Sequence, residues 1–127
     1  MELDQNARYA TTHEWARQED DLIVVGISDH AQDSMSDIVY VELPDVGDTM
    51  EQGEEFGVVE SAKAVSDVYM PVSGEIVEVN TQLDANPEKV NISPYQDGWM
   101  IKIRPSDPDQ MDALMTPDAY QSHAENA

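Results

Sequence analysis

No cysteine occurs in the 127 residues, which removes a disulfide scaffold, a thiolate zinc site and a thiol nucleophile together. Any sulfur chemistry must come from an added group. Basic side chains are scarce as well: 6 lysines and arginines stand against 27 aspartates and glutamates, a formal net charge of −21 that opposes binding to nucleic acid or anionic lipid. No apolar run approaches the roughly 18 residues of a membrane span. The opening Met1-Glu2-Leu3-Asp4 has neither the basic and apolar regions of a secretory signal nor the arginines of a transit peptide. The protein is therefore expected to stay where it is made, in the cytoplasm of a prokaryote. The acid excess reads first as a solvated surface and, more sharply, as adaptation to high salt, where counterions screen self-repulsion.

What is present fits one domain over residues 1–127, with a core over about 9–105 and a helical segment over about 107–123. Most of the signal is β. Strands are expected at Glu14 to Arg17, Leu22 to Ile27, Ile38 to Leu43, Glu55 to Glu60 and Val65 to Met70. Glu75 to Val79 and Trp99 to Ile103 alternate polar and apolar with period two and are the clearest. Thr11 and Glu14 match a capping box, but no periodic helix follows. Asp29 with Gln32 predicts an N-cap and a short helix to about Met35. Thr81 to Gly98 reads as one long loop, of the kind that carries function or local packing. Asp107-Pro108-Asp109-Gln110 predicts a helix to about Met115, and Thr116-Pro117-Asp118 a second short helix before a polar tail from His123. Val39-Tyr40-Val41 with Pro44 to Asp48 is echoed by Val68-Tyr69-Met70 with Pro71 to Glu75, which suggests two similar sheets in a small sandwich or flattened barrel.

Against this background one lysine stands out. Val58-Val59-Glu60 and Val65-Ser66-Asp67 flank Ser61-Ala62-Lys63-Ala64, a tight hairpin tip whose small alanines leave the amine open. The other lysines, Lys89 in the long loop and Lys102 on a strand, read as ordinary surface positions. No nucleophile and base converge: the adjacent Ser28-Asp29-His30 cannot form a triad, and His13 and His30 lack metal-ligand spacing. Asn91-Ile92-Ser93 fits a glycosylation sequon, inert without a secretory signal.

Glu60-Ser61-Ala62-Lys63-Ala64 resembles the lipoyl-attachment turn of the H-protein family of the glycine cleavage system. The resemblance runs from about Tyr9 to Tyr120, through His13-Glu14-Trp15, Gly26-Ile27-Ser28-Asp29-His30-Ala31-Gln32, Val39 to Pro44, Phe56 to Ser61, Pro71 to Glu75, Val79-Asn80, Asn86-Pro87, Ser93-Pro94-Tyr95 and Gly98 to Ile101. It implies a mainly β fold of the lipoyl/biotinyl-carrier type with short helices, and lipoate joined by an amide to Lys63. The protein would be a carrier rather than an enzyme, its arm reaching well over about 10 Å. It would take an aminomethyl group from a pyridoxal-phosphate glycine decarboxylase to a tetrahydrofolate-dependent aminomethyltransferase, and electrons to dihydrolipoamide dehydrogenase. A lipoyl ligase or transferase would load it. The same likeness points to Thr12, Glu14 and Asp67 as a cleft for the cationic end of the loaded arm. Ser36 departs from the family, which usually has glycine there. Biotin carriers fit less well, because methionines typically flank their lysine, and lipoyl domains of 2-oxoacid dehydrogenases lack the His13-Glu14-Trp15 region. A relay that passes lipoyl groups to other enzymes remains the alternative function.

Overall fold

The computed structural model describes residues 1–126. Nine strands form two antiparallel sheets. The larger contains β1 (Arg8–Tyr9), β2 (Glu14–Glu19), β3 (Leu22–Ile27), β9 (Ile101–Pro105), β8 (Gly74–Val79) and β5 (Thr49–Met50), in that spatial order; the smaller contains β4 (Ile38–Glu42), β6 (Glu55–Ser61) and β7 (Val65–Tyr69). The sandwich has the expected β character, but its sheets are unequal. The internal echo has a different meaning from two matching sheets: each copy leaves the small sheet, at β4 or β7, and passes through Pro-x-x-Gly into the large one. There β5 and β8 pair, Thr49 opposite Glu75 and Met50 opposite Gly74.

β3 shows why its sequence does not alternate. Ile23, Val25 and Ile27 face the core between the sheets with Val41, Val59, Ile76 and Ile103, while Val24 faces a second cluster of Tyr9, Trp15, Tyr95 and Tyr120. A strand buried on both faces reads as a continuous apolar run. β2 is longer than expected because its hairpin to β3 closes over only Asp20 and Asp21, with Asp20 at φ 55° and Glu19 paired to Leu22. Gly26 is required beneath Trp15, since a Cβ there would lie 2.9 Å from the indole.

Helix α1 (Asp29–Met35) is present, but its cap is Ser28. The Ser28 Oγ accepts the Ala31 N–H at 3.1 Å, whereas Asp29 lies in the first turn and accepts from the Gln32 side chain at 2.8 Å. Ser36 closes the helix at φ 66°, a position that favours glycine. The expected loop over 81–98 contains two one-turn helices, α2 (Gln82–Ala85) and α3 (Lys89–Ile92), that bury Leu83 and Val90. Its contribution is packing: the Pro94 carbonyl accepts the Trp15 indole N–H at 3.0 Å.

The C-terminal segment departs most from expectation. Pro108–Ala113 is a 3₁₀ helix rather than an α-helix to Met115. Gln110 does not close a capping box; its Oε1 accepts the Ser73 N–H at 2.6 Å, and Met115 pairs with Tyr9 through two backbone hydrogen bonds of 2.9 Å. These two attachments stop the helix. Thr116 caps α4 (Pro117–Glu125) and Tyr120 is buried within it, but α4 continues through His123 and buries Ala124 where a polar tail was expected. Thr11 caps nothing either: the local hydroxyl that meets Glu14 belongs to Thr12.

Candidate functional site

The β6–β7 turn is stitched by one serine. Ser61 donates its N–H to the Ala64 carbonyl at 2.8 Å, and its Oγ accepts the N–H groups of Lys63 at 3.2 Å and Ala64 at 3.0 Å. This satisfies the turn's backbone locally and fixes where the next two residues project. Ala64 is half-buried against the core, whereas Ala62 and Lys63 are exposed. Glu60 stands behind the turn, half-buried, between Tyr40 on β4 and Val65 on β7. The five residues expected at the attachment turn thus sit together at one hairpin end with an exposed amine at its tip. Among the described residues Lys63 makes no ion pair.

Beside β7 lies a cleft of about 220 Å³, bordered by Thr12 and Glu14, by His30 and Ser34 of α1, and by Ser66 and Asp67. The structure therefore gathers the three expected cleft residues, though not equally. Glu14 is 1% exposed. The Thr12 hydroxyl donates to its Oε1, and the Tyr69 N–H donates to its Oε2 at 3.1 Å. Burial pushes its carboxyl up to about 7, against the opposing pull of those two donors. It therefore passes between neutral and charged near neutral pH. Asp67 is exposed at the rim and makes no hydrogen bond to Thr12 or Glu14.

His30 and Ser34 are cleft residues that sequence reasoning did not identify, and His13, inside a segment that the resemblance singled out, lines the cleft with them. His13 has φ 81°; its Nδ1 lies 2.8 Å from the Tyr120 hydroxyl, which also meets Ser28 Oγ at 2.7 Å. Its ring lies 5.0 Å from that of His30 and 5.7 Å from that of His123. Burial first, and then these two neighbours, lower the His13 pKa. His13 and His30 line the cleft, and His123 of α4 lies behind His13. Among the described residues no group of three or more His, Asp or Glu side chains could hold a metal ion. Among the described residues four larger hollows, of about 510, 410, 370 and 240 Å³, lie elsewhere, and none of them is lined by Glu14 or Asp67.

Lysine and acid are matched in scale. From Lys63 to Asp67 on the cleft rim is four residues, at most about 13 Å at ~3.3 Å per residue. An acyl arm of well over about 10 Å on Lys63, laid back along β7, is therefore of the scale that enters the cleft past Asp67. The turn offers an acylation point, and the cleft offers an apolar wall with a buried acid for a cation at the arm's end. These residues fit a lipoyl group.

Comparison with known proteins gives the same direction. The glycine cleavage H-protein family matches residues 7–127. The glycine cleavage system H protein of Anaeromyxobacter sp. (strain K) is 54% identical over 125 residues, covering 98% of each chain. The mitochondrial glycine cleavage system H protein of Flaveria trinervia is 51% identical over 118 residues, 93% of this chain and 72% of that one. The crystal structure of a glycine cleavage system H protein from Mycobacterium marinum superposes with a TM-score of 0.90 at 35% identity, over 97% of this chain and 99% of that one.

Proposed function

The chain belongs to the glycine cleavage H-protein family, and on that premise we propose that Lys63 is the residue through which it carries lipoate. Members of this family are lipoyl carriers of the glycine cleavage system and are not themselves catalytic. They work with the glycine decarboxylase, the aminomethyltransferase and dihydrolipoamide dehydrogenase of that system. The observation that carries the residue assignment is the stitched turn, which presents Lys63 alone in water beside a cleft of matching reach.

When attached, lipoate supplies a disulfide that accepts an aminomethyl group and is later reoxidised. Ser61 holds the attachment point in place. Glu14 presents a buried carboxylate to a cationic amine, Thr12 and the Tyr69 N–H hold that carboxylate in position, and Asp67 adds negative charge at the rim. The cleft walls exclude water from the arm's end. Because Glu14 ionises only near and above about 7, its hold on a cation strengthens as pH rises through that value.

Two variants test this reading. Lys63→Arg keeps the charge but cannot form the amide, and abolishes glycine cleavage in the reconstituted system. Glu14→Ala retains lipoylation and shortens the lifetime of the aminomethyl-loaded protein by roughly tenfold or more, the scale of a lost charge-assisted hydrogen bond. Equal release rates in variant and parent would remove Glu14 from the site.

Within the described residues no helix is long and apolar enough to cross a membrane. A prokaryotic cytoplasmic location, with an acid surface adapted to salt, completes the proposal; fractionation places the protein, and the effect of salt on melting tests the adaptation.

A further inference from the structure

The small sheet has one face on the core and one in water. Val41 and Val59 pair across it and are buried, whereas the row Tyr40–Glu60–Val65 crosses the opposite face. Tyr40 is 48% exposed and Val65 is 65% exposed, with Val39 at 57% beside them where the β4–β6 register shifts. A single exposed apolar side chain is ordinary, but an aromatic and two valines grouped on one three-stranded sheet form a patch. Two strand spacings put Tyr40 and Val65 about 10 Å apart, with Glu60 between them. The row lies directly behind the Lys63 turn.

Charge sets this face apart. β4, β6 and β7 bear Glu42, Glu55, Glu60 and Asp67 and no lysine or arginine. The basic residues other than Lys63 lie elsewhere: Arg8 on β1, Arg17 on β2, Lys89 on α3, and Lys102 and Arg104 on β9. The patch is therefore framed by acid, with Lys63 the one nearby cation. A second copy of the chain would bring the same carboxylates face to face, which disfavours self-association here. A complementary partner has an apolar pocket inside a basic rim.

Reach decides which partner it is. An enzyme that uses the finished arm can meet it more than about 10 Å from the turn. An enzyme that acylates Lys63 must bring its active site to the Nζ itself, and so must press on the surface beside the turn. The step forms an amide between Nζ and an activated lipoyl acyl group; the amine loses one proton and the activating group, AMP for a lipoyl adenylate, leaves with its bonding electron pair.

We propose that the outward face of β4, β6 and β7 is the docking surface for the enzyme that lipoylates Lys63, with Tyr40 and Val65 as its apolar anchors. This rests on Lys63 being the attachment residue. The test is steady-state lipoylation of the full-length unlipoylated protein by a lipoate–protein ligase with ATP and lipoate, comparing the parent with Tyr40→Ser/Val65→Ser. Both side chains are exposed, so the variant keeps its fold, which its melting temperature verifies. The expected result is a KM raised about tenfold with kcat little changed, the scale of losing two interface anchors. The parent KM also rises with added salt, and Ile92→Ser, at a residue 78% exposed on α3, leaves it unchanged. An unaltered KM in the double variant, with the parent labelled on Lys63, overturns the docking surface and leaves the attachment reading standing. A parent labelled on another lysine overturns the attachment reading itself. If attachment is unaffected but the prelipoylated double variant binds glycine decarboxylase more weakly, the face belongs to the decarboxylase and the assignment is overturned.

Discussion

Glu14 is the residue at which stability and function pull against each other. Its folded-state pKa of about 7 lies above the ordinary glutamate value of 4.5, so the native state prefers the protonated form. The stability this gives is complete below the unfolded value and is lost as pH rises through the folded one, on the order of 3 kcal/mol in all. Glu14→Gln is therefore expected to gain stability relative to the parent between pH 5 and pH 8, read by urea denaturation at each pH. A stability difference independent of pH would contradict the raised value. Ser61→Ala removes the acceptor that stitches the lysine turn and should cost about 1 kcal/mol in the same assay, with slower lipoylation. Lys63 was legible from the sequence because small neighbours and flanking strands mark an exposed tip. The burial of Glu14 was not: it follows Thr12-His13 in a polar stretch, and what encloses it comes from β7, with the Tyr69 N–H 55 residues away.

Elements held mainly by tertiary contacts are those the sequence hides. β8 and β9 were legible because one face is apolar and the other is not, although β9 spans Ile101–Pro105 and not Trp99 to Ile103, whereas two-residue β1 and β5 are too short for any period. Ser28 and Asp29 are both good N-cap residues, so composition could not choose between them; the chosen Ser28 Oγ also meets the buried Tyr120 hydroxyl at 2.7 Å. Tyr120 is the anchor of α4, fully buried and stacked 4.4 Å from Tyr9. Tyr120→Ala should cost about 3–5 kcal/mol by leaving a large cavity, and Tyr120→Phe about 1–2 kcal/mol by removing the hydroxyl shared with His13 and Ser28. Equilibrium denaturation separates the two. If both substitutions are neutral, Tyr120 is not what ties α4 to His13 at the cleft.

At the scale of the molecule, a net charge of −21 on 127 residues makes self-repulsion a property of the whole surface. Raising salt from 0.1 to 1 M shortens the screening length from about 10 Å to about 3 Å. The melting temperature should rise over that range, and one that stays level or falls would contradict salt adaptation. The four ion pairs among the described residues, such as Arg17 with Asp4 at 2.6 Å, engage Arg17, Lys102 and Arg104 on the large sheet. That leaves the small sheet uniformly acidic around Lys63, an asymmetry that appears only once the strands are sorted into sheets.

The most direct measurement of the central claim is the mass of the intact protein from cells supplied with lipoate, followed by mapping of the modified peptide. The account predicts a single lipoyl increment, confined to the peptide that contains Lys63. An increment on Lys89 or Lys102, or an unmodified Lys63 in cells with an active lipoyl ligase, would contradict it.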